Sequence, residues 1–395
     1  MRFPEFHGEW EKCRIGDYGK VVTGNTPPTK DVENYIEGQY LWASPADLGT
    51  IKSITETNTK LSNKGFAKTR ILPKGSVLVT CIGSTIGKMG MAMKEMATNQ
   101  QINSVVVNDD NNNEFVYYAI QSAFPRYLSS IAVQAVPIVS KSAFEQLSNK
   151  RPCLQEQEKI GSLFALLDER IATQSKLIEK LESLIKGLED KILDNPLWEK
   201  TYLRSFMQFF STNSLSWEQL SYEEGEIRNL HYGLIHGFQT RGINSASLPM
   251  IKNEAIPKQY TLCQVGDVAF ADASEDTGEI AKSVEFVDTI EGDTVCGLHT
   301  IHGRDEKDRT VVGFKGFAFN SRYFHNQIKR LAQGTKVFSI TANNLSSCYV
   351  YLPDLETQKA IVKLLKAYEE KLLVSKRLLE QYEKQKQYLL RQMFI

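Results

Sequence analysis

The feature that most constrains the fold of this 395-residue chain is an internal repeat. Residues 152–160 align with residues 353–361 at a shift of 201 positions, with the same Pro, Leu, Gln and Ile in both copies. Trp10-Glu11-Lys12 returns as Trp198-Glu199-Lys200 at a shift of 188. Because these matches keep their order along the chain, both halves should fold as the same unit. The sequence therefore predicts lobe, helix, lobe, helix.

We place these parts at 1–152, 153–195, 196–352 and 353–395. Both predicted helices carry an apolar heptad repeat, which is typical of a coiled coil. A helix of about 40 residues is about 60 Å long. The two helices should pair antiparallel, related by an internal pseudo-twofold repeat. The predicted helix-pair and partner interface consists of Ile160, Phe164, Leu167, Ile171, Gln174, Ile178 and Leu181 in the first helix, and Ile361, Leu365, Tyr368, Leu372, Ser375 and Leu379 in the second.

Two features of these helices leave alternatives open. The polar residues Gln174 and Ser375 occupy corresponding seam positions. They either fix the register of the pair or are tolerated there without a role. Additional leucines widen the apolar stripe beyond a two-helix seam, so that they either pack on the lobes or bind other proteins. These leucines are Leu163, Leu177, Leu184, Leu364, Leu373 and Leu378.

The lobes combine short β-like runs with polar loops and short helices, which indicates the α+β class. We predict strands at 76–82 and 104–107 in the first lobe, and at 267–271 and 310–314 in the second. The chain thus contains two similar mixed α/β lobes separated by the long helices. Polar loops on a rigid sheet are a common place for binding residues.

Composition excludes several classes of protein. Lys plus Arg equals Asp plus Glu at 47 each, so the chain lacks the positive charge of a protein that coats nucleic acid by itself. No apolar run approaches the roughly 18 residues of a membrane span. The six cysteines are scattered and form no C-x-x-C pair, and the first residues lack an apolar signal core. We expect a reducing, cytoplasmic location and no membrane association.

Polar loops supply the candidate DNA contacts. Hydroxyls and backbone N–H groups suit phosphates, and side-chain amides suit adenine edges. A plain surface turn remains the alternative for the loop from Thr23 to Lys30, and solvated residues without a contact remain the alternative in the second lobe. The candidates are Thr23, Asn25, Thr26, Lys30, Ser84, Thr85, Lys88, Asn99, Gln100, Gln101 and Lys141 in the first lobe, and Arg228, His231, Tyr232, Gln239, Arg241, His299, Thr300 and Lys336 in the second.

Motifs that would indicate catalysis or metal binding are incomplete. The run from Gly83 to Lys88 has three residues between its glycines where a nucleotide P-loop has four. His299 and His302 are three apart on a predicted strand, so they should point to opposite faces, and no second Cys or His pair completes a zinc site near Cys296. Asn195-Pro196-Leu197-Trp198 lacks the second proline of an amino-methyltransferase motif. We predict no catalytic residue and no metal site.

Over its full length the chain resembles the specificity subunits of type I restriction-modification systems. The resemblance rests on the two Trp-Glu-Lys lobe starts, the two Pro-x-Leu-x-x-Gln helix entries, the repeated heptads, and loops such as Thr23-Gly24-Asn25-Thr26-Pro27. It implies target-recognition domains that each read one half of a bipartite, asymmetric double-stranded DNA target. It also implies helices that set the gap between the halves and dock two methyltransferase subunits, with restriction subunits added to form the nuclease.

The resemblance further implies that this chain holds no cofactor. S-adenosylmethionine would belong to the methyltransferase, and ATP and Mg²⁺ to the restriction subunit. From another class, a coiled-coil scaffold with protein- or glycan-binding lobes and no DNA role also accounts for the helices and the zero net charge. It gives no reason for two lobes with repeated polar loops.

Overall fold

The computed structural model describes residues 1–49, 51–130, 138–238, 240–288, 290 and 292–394. The chain divides into two compact units. The first unit comprises residues 1–174 and 379–395, and the second comprises residues 175–378. Each unit therefore contains one lobe and part of both long helices. Among the described residues, no helix is long and apolar enough to cross a membrane.

The first lobe is a mixed α/β structure. Its strands are β1 (Glu11–Arg14), β2 (Gly19–Thr23), β3 (Tyr40–Ala43), β4 (Ser53–Ile54), β5 (Thr59–Leu61), β6 (Val77–Thr80), β7 (Met89–Ala92), β8 (Ala97–Thr98), β9 (Ile102–Val107) and β10 (Ser148–Arg151). Its helices are α1 (Asn63–Phe66), α2 (Asn113–Ser130) and α3 (Lys141–Glu145), and the long helix α4 (Leu154–Leu193) follows.

The second lobe is built in the same way. Its strands are β11 (Glu199–Tyr202), β12 (Met207–Phe210), β13 (Leu220–Ser221), β14 (Arg228–Leu230), β15 (Gly242–Ile243), β16 (Met250–Ile251), β17 (Val268–Ala271), β18 (Ala273–Ser274), β19 (Ser283–Phe286), β20 (Thr294–Cys296), β21 (Thr300–Asp305), β22 (Phe338–Ser339) and β23 (Tyr349–Leu352). Its helices are α5 (Tyr232–Gly237), α6 (Phe314–Ala318), α7 (Arg322–Leu331) and α8 (Ala342–Ser347), and the long helix α9 (Leu355–Met393) follows.

The repeat predicted from the sequence is present in the strand pairing. The first lobe has a five-stranded sheet in the order β2-β9-β6-β7-β4, and the second has β12-β21-β17-β19-β15, which is the same arrangement. The repeated Trp-Glu-Lys segments lead into β1 and β11, which pair antiparallel with β10 and β23 just before each long helix. The α+β class with two similar lobes is confirmed.

The strands predicted at 76–82, 104–107 and 267–271 correspond to β6, β9 and β17, but the strand predicted at 310–314 is wrong. That segment is a turn that enters α6. Gly313 has a φ of 93°, a left-handed conformation that suits glycine, and the N–H groups of Gly313 and Gly316 donate to the buried carboxylate of Glu285. These hydrogen bonds to the Glu285 carboxylate stabilise the start of α6 by more than the β-propensity of Val311 and Val312 favours a strand.

The long helices pack together in antiparallel order, as predicted. In the first unit, the rings of Phe164 and Phe394 lie 5.8 Å apart. In the second unit, Lys376 Nζ lies 2.7 Å from Glu182 Oε1. The early part of α4 therefore meets the C-terminal end of α9 in the first unit, and the late part of α4 meets the middle of α9 in the second, as an antiparallel pair requires.

The repeated glutamine of the helix entries joins each lobe to its helix. Gln157 donates to the Pro152 carbonyl at 3.0 Å and accepts from the Asn112 N–H at 3.1 Å. Gln358 donates to the Pro353 carbonyl at 2.9 Å and accepts from the Val311 N–H at 3.0 Å. Both side chains are buried. The side-chain amide of each glutamine thus donates to a carbonyl just before the helix and accepts from a backbone N–H of the lobe. An apolar side chain could form neither hydrogen bond, and a shorter one could not reach both groups.

We expect Gln157→Leu to lower the free energy of unfolding by about 2–4 kcal/mol, because two buried backbone groups lose their partners. Urea unfolding followed by tryptophan fluorescence measures this. Gln155→Leu, at an exposed position two residues earlier, is the matched control and should change stability by less than about 0.5 kcal/mol. Equal effects from the two substitutions would contradict the assigned role of Gln157.

Candidate nucleic-acid interface

In the first lobe, three candidate loops meet at one end of the five-stranded sheet. Thr23 at the end of β2 pairs with Asn103 near the start of β9, and Thr80 at the end of β6 pairs with Ile102. Because β2 and β6 run antiparallel to β9, the residues after β2, after β6 and before β9 lie together. These residues are the loops 24–31, 81–88 and 99–101, and we call this end of the sheet the loop end.

Hydrogen bonds connect these loops directly. Thr26 Oγ1 donates to Gln100 Oε1 at 2.5 Å, and Thr23 Oγ1 donates to Asn103 Oδ1 at 2.6 Å. The Gln101 amide donates to the carbonyl of Ile82 at 3.4 Å. The structure therefore brings together the candidates Thr23, Thr26, Gln100 and Gln101. Of the candidates in this cluster, Asn99 is buried and binds Gln101, so it positions that neighbouring amide.

Asn25 holds a residue that the sequence did not single out. Its Oδ1 accepts from the Arg70 N–H at 2.9 Å, while the Arg70 guanidinium donates to the Thr23 carbonyl at 2.7 Å. The exposed Arg70 side chain is therefore presented at the loop end. No local pattern marks Arg70, because its partners lie more than 40 residues away in the sequence.

Other candidates line the same end. Ser84, Lys88 and Lys30 are exposed and Thr85 is half-buried. Among the described residues, Lys30 and Lys88 form no ion pair, so both ammonium groups can approach phosphates. Lys141 begins α3 and lies 3.6 Å from Glu145, and the Val139 N–H just before it donates to the Cys81 carbonyl at 2.8 Å. Lys141 therefore lies close in the chain to a residue that is hydrogen-bonded to the loop after β6.

The second lobe presents aromatic residues at the corresponding end. The Trp217 ring lies 4.4 Å from His231, His231 lies 4.7 Å from Tyr232, and Tyr232 lies 5.2 Å from His299, measured between ring centroids. Trp217 is 45% exposed and His299 is exposed. We call these four residues the aromatic cluster. The sequence predicted three of them. It missed Trp217, although an exposed tryptophan in a polar loop is a signal worth following.

Hydrogen bonds and ion pairing hold both histidines of the aromatic cluster in place. His231 begins α5 as its N-cap, where Nδ1 accepts from the Gly233 N–H at 3.2 Å, so Nε2 carries the proton. Burial and the neighbouring His299 lower the pKa of His231, which keeps the ring neutral. His299 has a φ of 54° and its Nδ1 lies 3.0 Å from Asp272 Oδ1. Asp272 follows β17, so this pair joins two loops of the second lobe.

The remaining candidates of the second lobe differ in placement. Lys336 is exposed in a turn that leads into β22. β22 pairs with β18, and β18 follows Asp272 directly, so this turn lies near the partner of His299. Thr300 is buried and its hydroxyl donates to the Gly297 carbonyl at 2.6 Å. Arg228 donates to the carbonyls of Ala246 and Leu248. Gln239 lies outside the described residues.

Comparisons with known proteins identify the family of the chain. The family described as the type I restriction modification DNA specificity domain matches residues 7–183 and 300–384. The chain belongs to this family. It is therefore a type I specificity subunit, and the recognition of DNA sequence within a restriction-modification system is its function. The relatives are named specificity subunits, so the prediction of a non-catalytic component is confirmed, and nothing in the comparisons favours the scaffold alternative.

One of the relatives and a solved structure span nearly the whole subunit, and another relative matches about a third of it. The MjaVIII specificity subunit of Methanocaldococcus jannaschii is 24% identical over 97% of this chain and 93% of its own length. The HindI specificity subunit of Haemophilus influenzae is 32% identical over 31% of this chain and 27% of its own length. The S subunit structure from M. genitalium aligns with a TM-score of 0.61 at 16% identity, covering 98% of this chain and 96% of that one. That structure supports the fold.

One candidate in the specificity subunit has a different task from the one predicted. The Arg241 guanidinium lies 2.8 Å from Glu189 in α4 and 3.2 Å from Glu369 in α9. These carboxylates hold it against the long helices, which accounts for its charge without DNA.

Lys52 occupies the equivalent position in the first lobe, immediately before the edge strand β4, as Arg241 is before β15. Lys52 Nζ lies 3.1 Å from Asp168, and Asp168 precedes Glu369 by the 201-residue repeat shift. Burial raises the pKa of Asp168, but hydrogen bonds from Lys386 and Tyr118 and the charge of Lys52 outweigh it, so the pKa falls below its usual value. We call the two ion-pair groups, Lys52–Asp168 and Arg241–Glu369, the lobe–helix clamps.

The predicted seam residues face inward to different degrees. Near its start, each long helix contributes to the core of a lobe, through Ile160, Phe164 and Leu167 in one unit and Ile361 and Leu365 in the other. Ile178, Leu181 and Ser375 are also buried, whereas Ile171, Gln174, Tyr368, Leu372 and Leu379 are half-buried. Leu163 packs on the first lobe, while Leu177, Leu184, Leu364 and Leu378 remain 38–45% exposed.

We expect Arg241→Gln to destabilise the second unit by about 2 kcal/mol at neutral pH, because Glu189 and Glu369 lose the cation between them. Burial already raises the pKa of Glu189, and Arg241 partly opposes that rise. Without Arg241 the pKa rises further, so the folded variant binds more protons than the unfolded chain. Its stability deficit should therefore shrink as the pH falls from 7.5 to 5.

Urea unfolding at both pH values measures this effect. Arg322→Gln is the matched control, since Arg322 is 70% exposed and 3.7 Å from Asp190. It should cost little at either pH. A deficit of Arg241→Gln that grows on acidification would contradict the clamp.

Proposed function

We propose that each lobe of this specificity subunit reads one half of a bipartite, asymmetric DNA target through its loop end. The observation that carries this proposal is the equivalence of the two five-stranded sheets, which present different side chains at the same end. Amides and hydroxyls dominate in the first lobe, and aromatic rings dominate in the second. Side-chain amides suit adenine edges, whereas rings suit thymine methyl groups and stacked contacts. Because two lobes of the same fold present different side chains at their loop ends, they would read different half-sites, which makes the target asymmetric.

Partner subunits complete this function in our proposal. Two methyltransferase subunits dock on the long helices, and restriction subunits join them to form the nuclease. Four leucines 38–45% exposed on these helices supply apolar area for such docking. S-adenosylmethionine then binds to the methyltransferase, and ATP and Mg²⁺ to the restriction subunit. Because the net charge of the chain is zero, most of the phosphate contacts belong to these partners, and the complex acts in the cytoplasm.

We expect Lys88→Ala to weaken DNA binding by the complex about equally on every sequence and to reduce the salt slope by about one. The measurement is fluorescence anisotropy of target and non-target duplexes across a salt series, with the methyltransferase present. Lys94→Ala is the matched control. Lys94 is an exposed lysine that follows β7, and β7 runs antiparallel to β6, so Lys94 lies at the opposite end of the sheet.

The control should leave both the affinity and the salt slope unchanged. If Lys94→Ala reduces the slope and Lys88→Ala does not, DNA lies at the other end of the sheet. If neither the subunit nor its complex binds DNA in a salt-dependent manner, the proposal fails.

We also propose that the long helices set the gap between the two half-sites. Insertion of one helical turn near Gly187 in α4 adds about 5–6 Å, or one to two base pairs. A side chain at Gly187 would meet no atom within 4 Å, so this position itself faces open space. We expect the same half-sites with a longer gap in methylation mapping by sequencing. Altered half-sites with an unchanged gap would contradict the proposal.

A further inference from the structure

Three buried side chains from separate segments of the second lobe converge behind its loop end. They are Cys263, which precedes β17, Cys296 at the end of β20, and His302 in β21. Their two sulfur atoms and one ring nitrogen all lie within 4.8 Å of one another. The two Sγ atoms are 3.6 Å apart. We propose that Cys263, Cys296 and His302 bind a zinc ion.

The geometry matches zinc in two respects. Two sulfurs bound at about 2.3 Å to a tetrahedral zinc lie about 3.8 Å apart, close to the observed separation. A disulfide needs about 2.05 Å, so these thiols are placed for a shared ion and not for a bond. Two thiolates and one imidazole form a donor set that suits zinc better than Mg²⁺ or Ca²⁺.

The surroundings of His302 are those of a metal-bound imidazole. Its Nε2 lies 2.7 Å from Asp267 Oδ2, and Asp267 is in turn fixed by two hydrogen bonds from Arg304. A carboxylate that holds one imidazole nitrogen orients the ring and leaves the other nitrogen for the ion. The Asp267–His302 pair is almost completely buried, at 1% exposure for each side chain.

A cleft beside the three residues provides access for the ion and room for a fourth ligand. It has a volume of about 400 Å³, and Cys296 and His302 line it together with polar residues such as Thr212 and Asn213. Three protein ligands and one water from such a cleft complete the tetrahedral coordination of zinc. The site differs from the loop end, although Cys296 lies directly before the segment that carries His299.

The fold itself does not require these three residues. In the first lobe the equivalent backbone positions are occupied by Leu72, Thr98 and Ser104. Leu72 and Cys263 correspond because each donates its N–H to the segment that carries the second residue of the set. Thr98 and Cys296 correspond because they pair in parallel with β3 and β14. Ser104 and His302 correspond because they pair with β6 and β17. None of the three offers a thiolate or an imidazole. The second lobe therefore has a complete ligand set where the same scaffold elsewhere has none.

The first lobe has Leu72 and Thr98 at the positions of Cys263 and Cys296, so leucine and threonine are suitable substitutions for the two cysteines. The test uses the full chain, purified with reducing agent, stripped with chelator and then dialysed against Zn²⁺. We expect about one zinc per chain by elemental analysis, and at least a tenfold loss of bound zinc in Cys296→Thr and in Cys263→Leu. Cys153→Ser, at an exposed cysteine, is the control and should retain zinc. Circular dichroism shows whether each variant folds.

Cobalt provides an independent readout. Co²⁺ added to the stripped chain should give thiolate-to-cobalt charge-transfer absorption that Zn²⁺ displaces and that Cys296→Thr lacks. The proposal is overturned if the folded wild-type chain binds less than about a tenth of an equivalent. It is equally overturned if folded Cys296→Thr and Cys263→Leu bind as much as the wild type, or if intact mass shows these two cysteines joined as a disulfide. These readouts need no DNA, so they stand apart from the function proposed above.

Discussion

The attachment of each lobe to the long helices is the constraint on which the rest of this specificity subunit depends. Two kinds of polar contact provide this attachment in both copies of the repeat. A buried glutamine joins the helix entry to the lobe backbone, and a cation beside an edge strand reaches a helix carboxylate, as in the Lys52–Asp168 and Arg241–Glu369 lobe–helix clamps. Since buried polar groups are costly when unpaired, these contacts define one position of the lobe on its helix.

Within this fixed frame, the loop ends are free to differ. The strand order of the five-stranded sheets is the same in both lobes, yet one loop end carries Thr26 and Gln100 and the other carries Trp217 and Tyr232. Loops beyond the ends of strands contribute little to the core, so their side chains change at low cost in stability. Repeated attachment and divergent loop ends together allow one chain to present two different surfaces.

Contacts that are periodic or repeated could be predicted from the sequence, and contacts between distant segments could not. The heptads and the Pro-x-Leu-x-x-Gln entries revealed the helices and the repeat, because helix geometry converts local spacing into a face. Arg241 looked like a DNA contact, since nothing nearby in the sequence announces Glu189 and Glu369. For the same reason no local pattern marks the cluster of Cys263, Cys296 and His302, because Cys263, 33 residues from Cys296, is brought beside the other two only by the sheet.

The distribution of charge explains how a neutral chain can recognise DNA. Several lysines and arginines of the described residues are paired with carboxylates, including Lys52, Arg241 and Lys315. These cations hold the fold and are not available to phosphates. Lys30, Lys88 and Arg70 at the loop end form no ion pair among the described residues, and so few cations would release few counterions. Selectivity must then come from hydrogen bonds and shape.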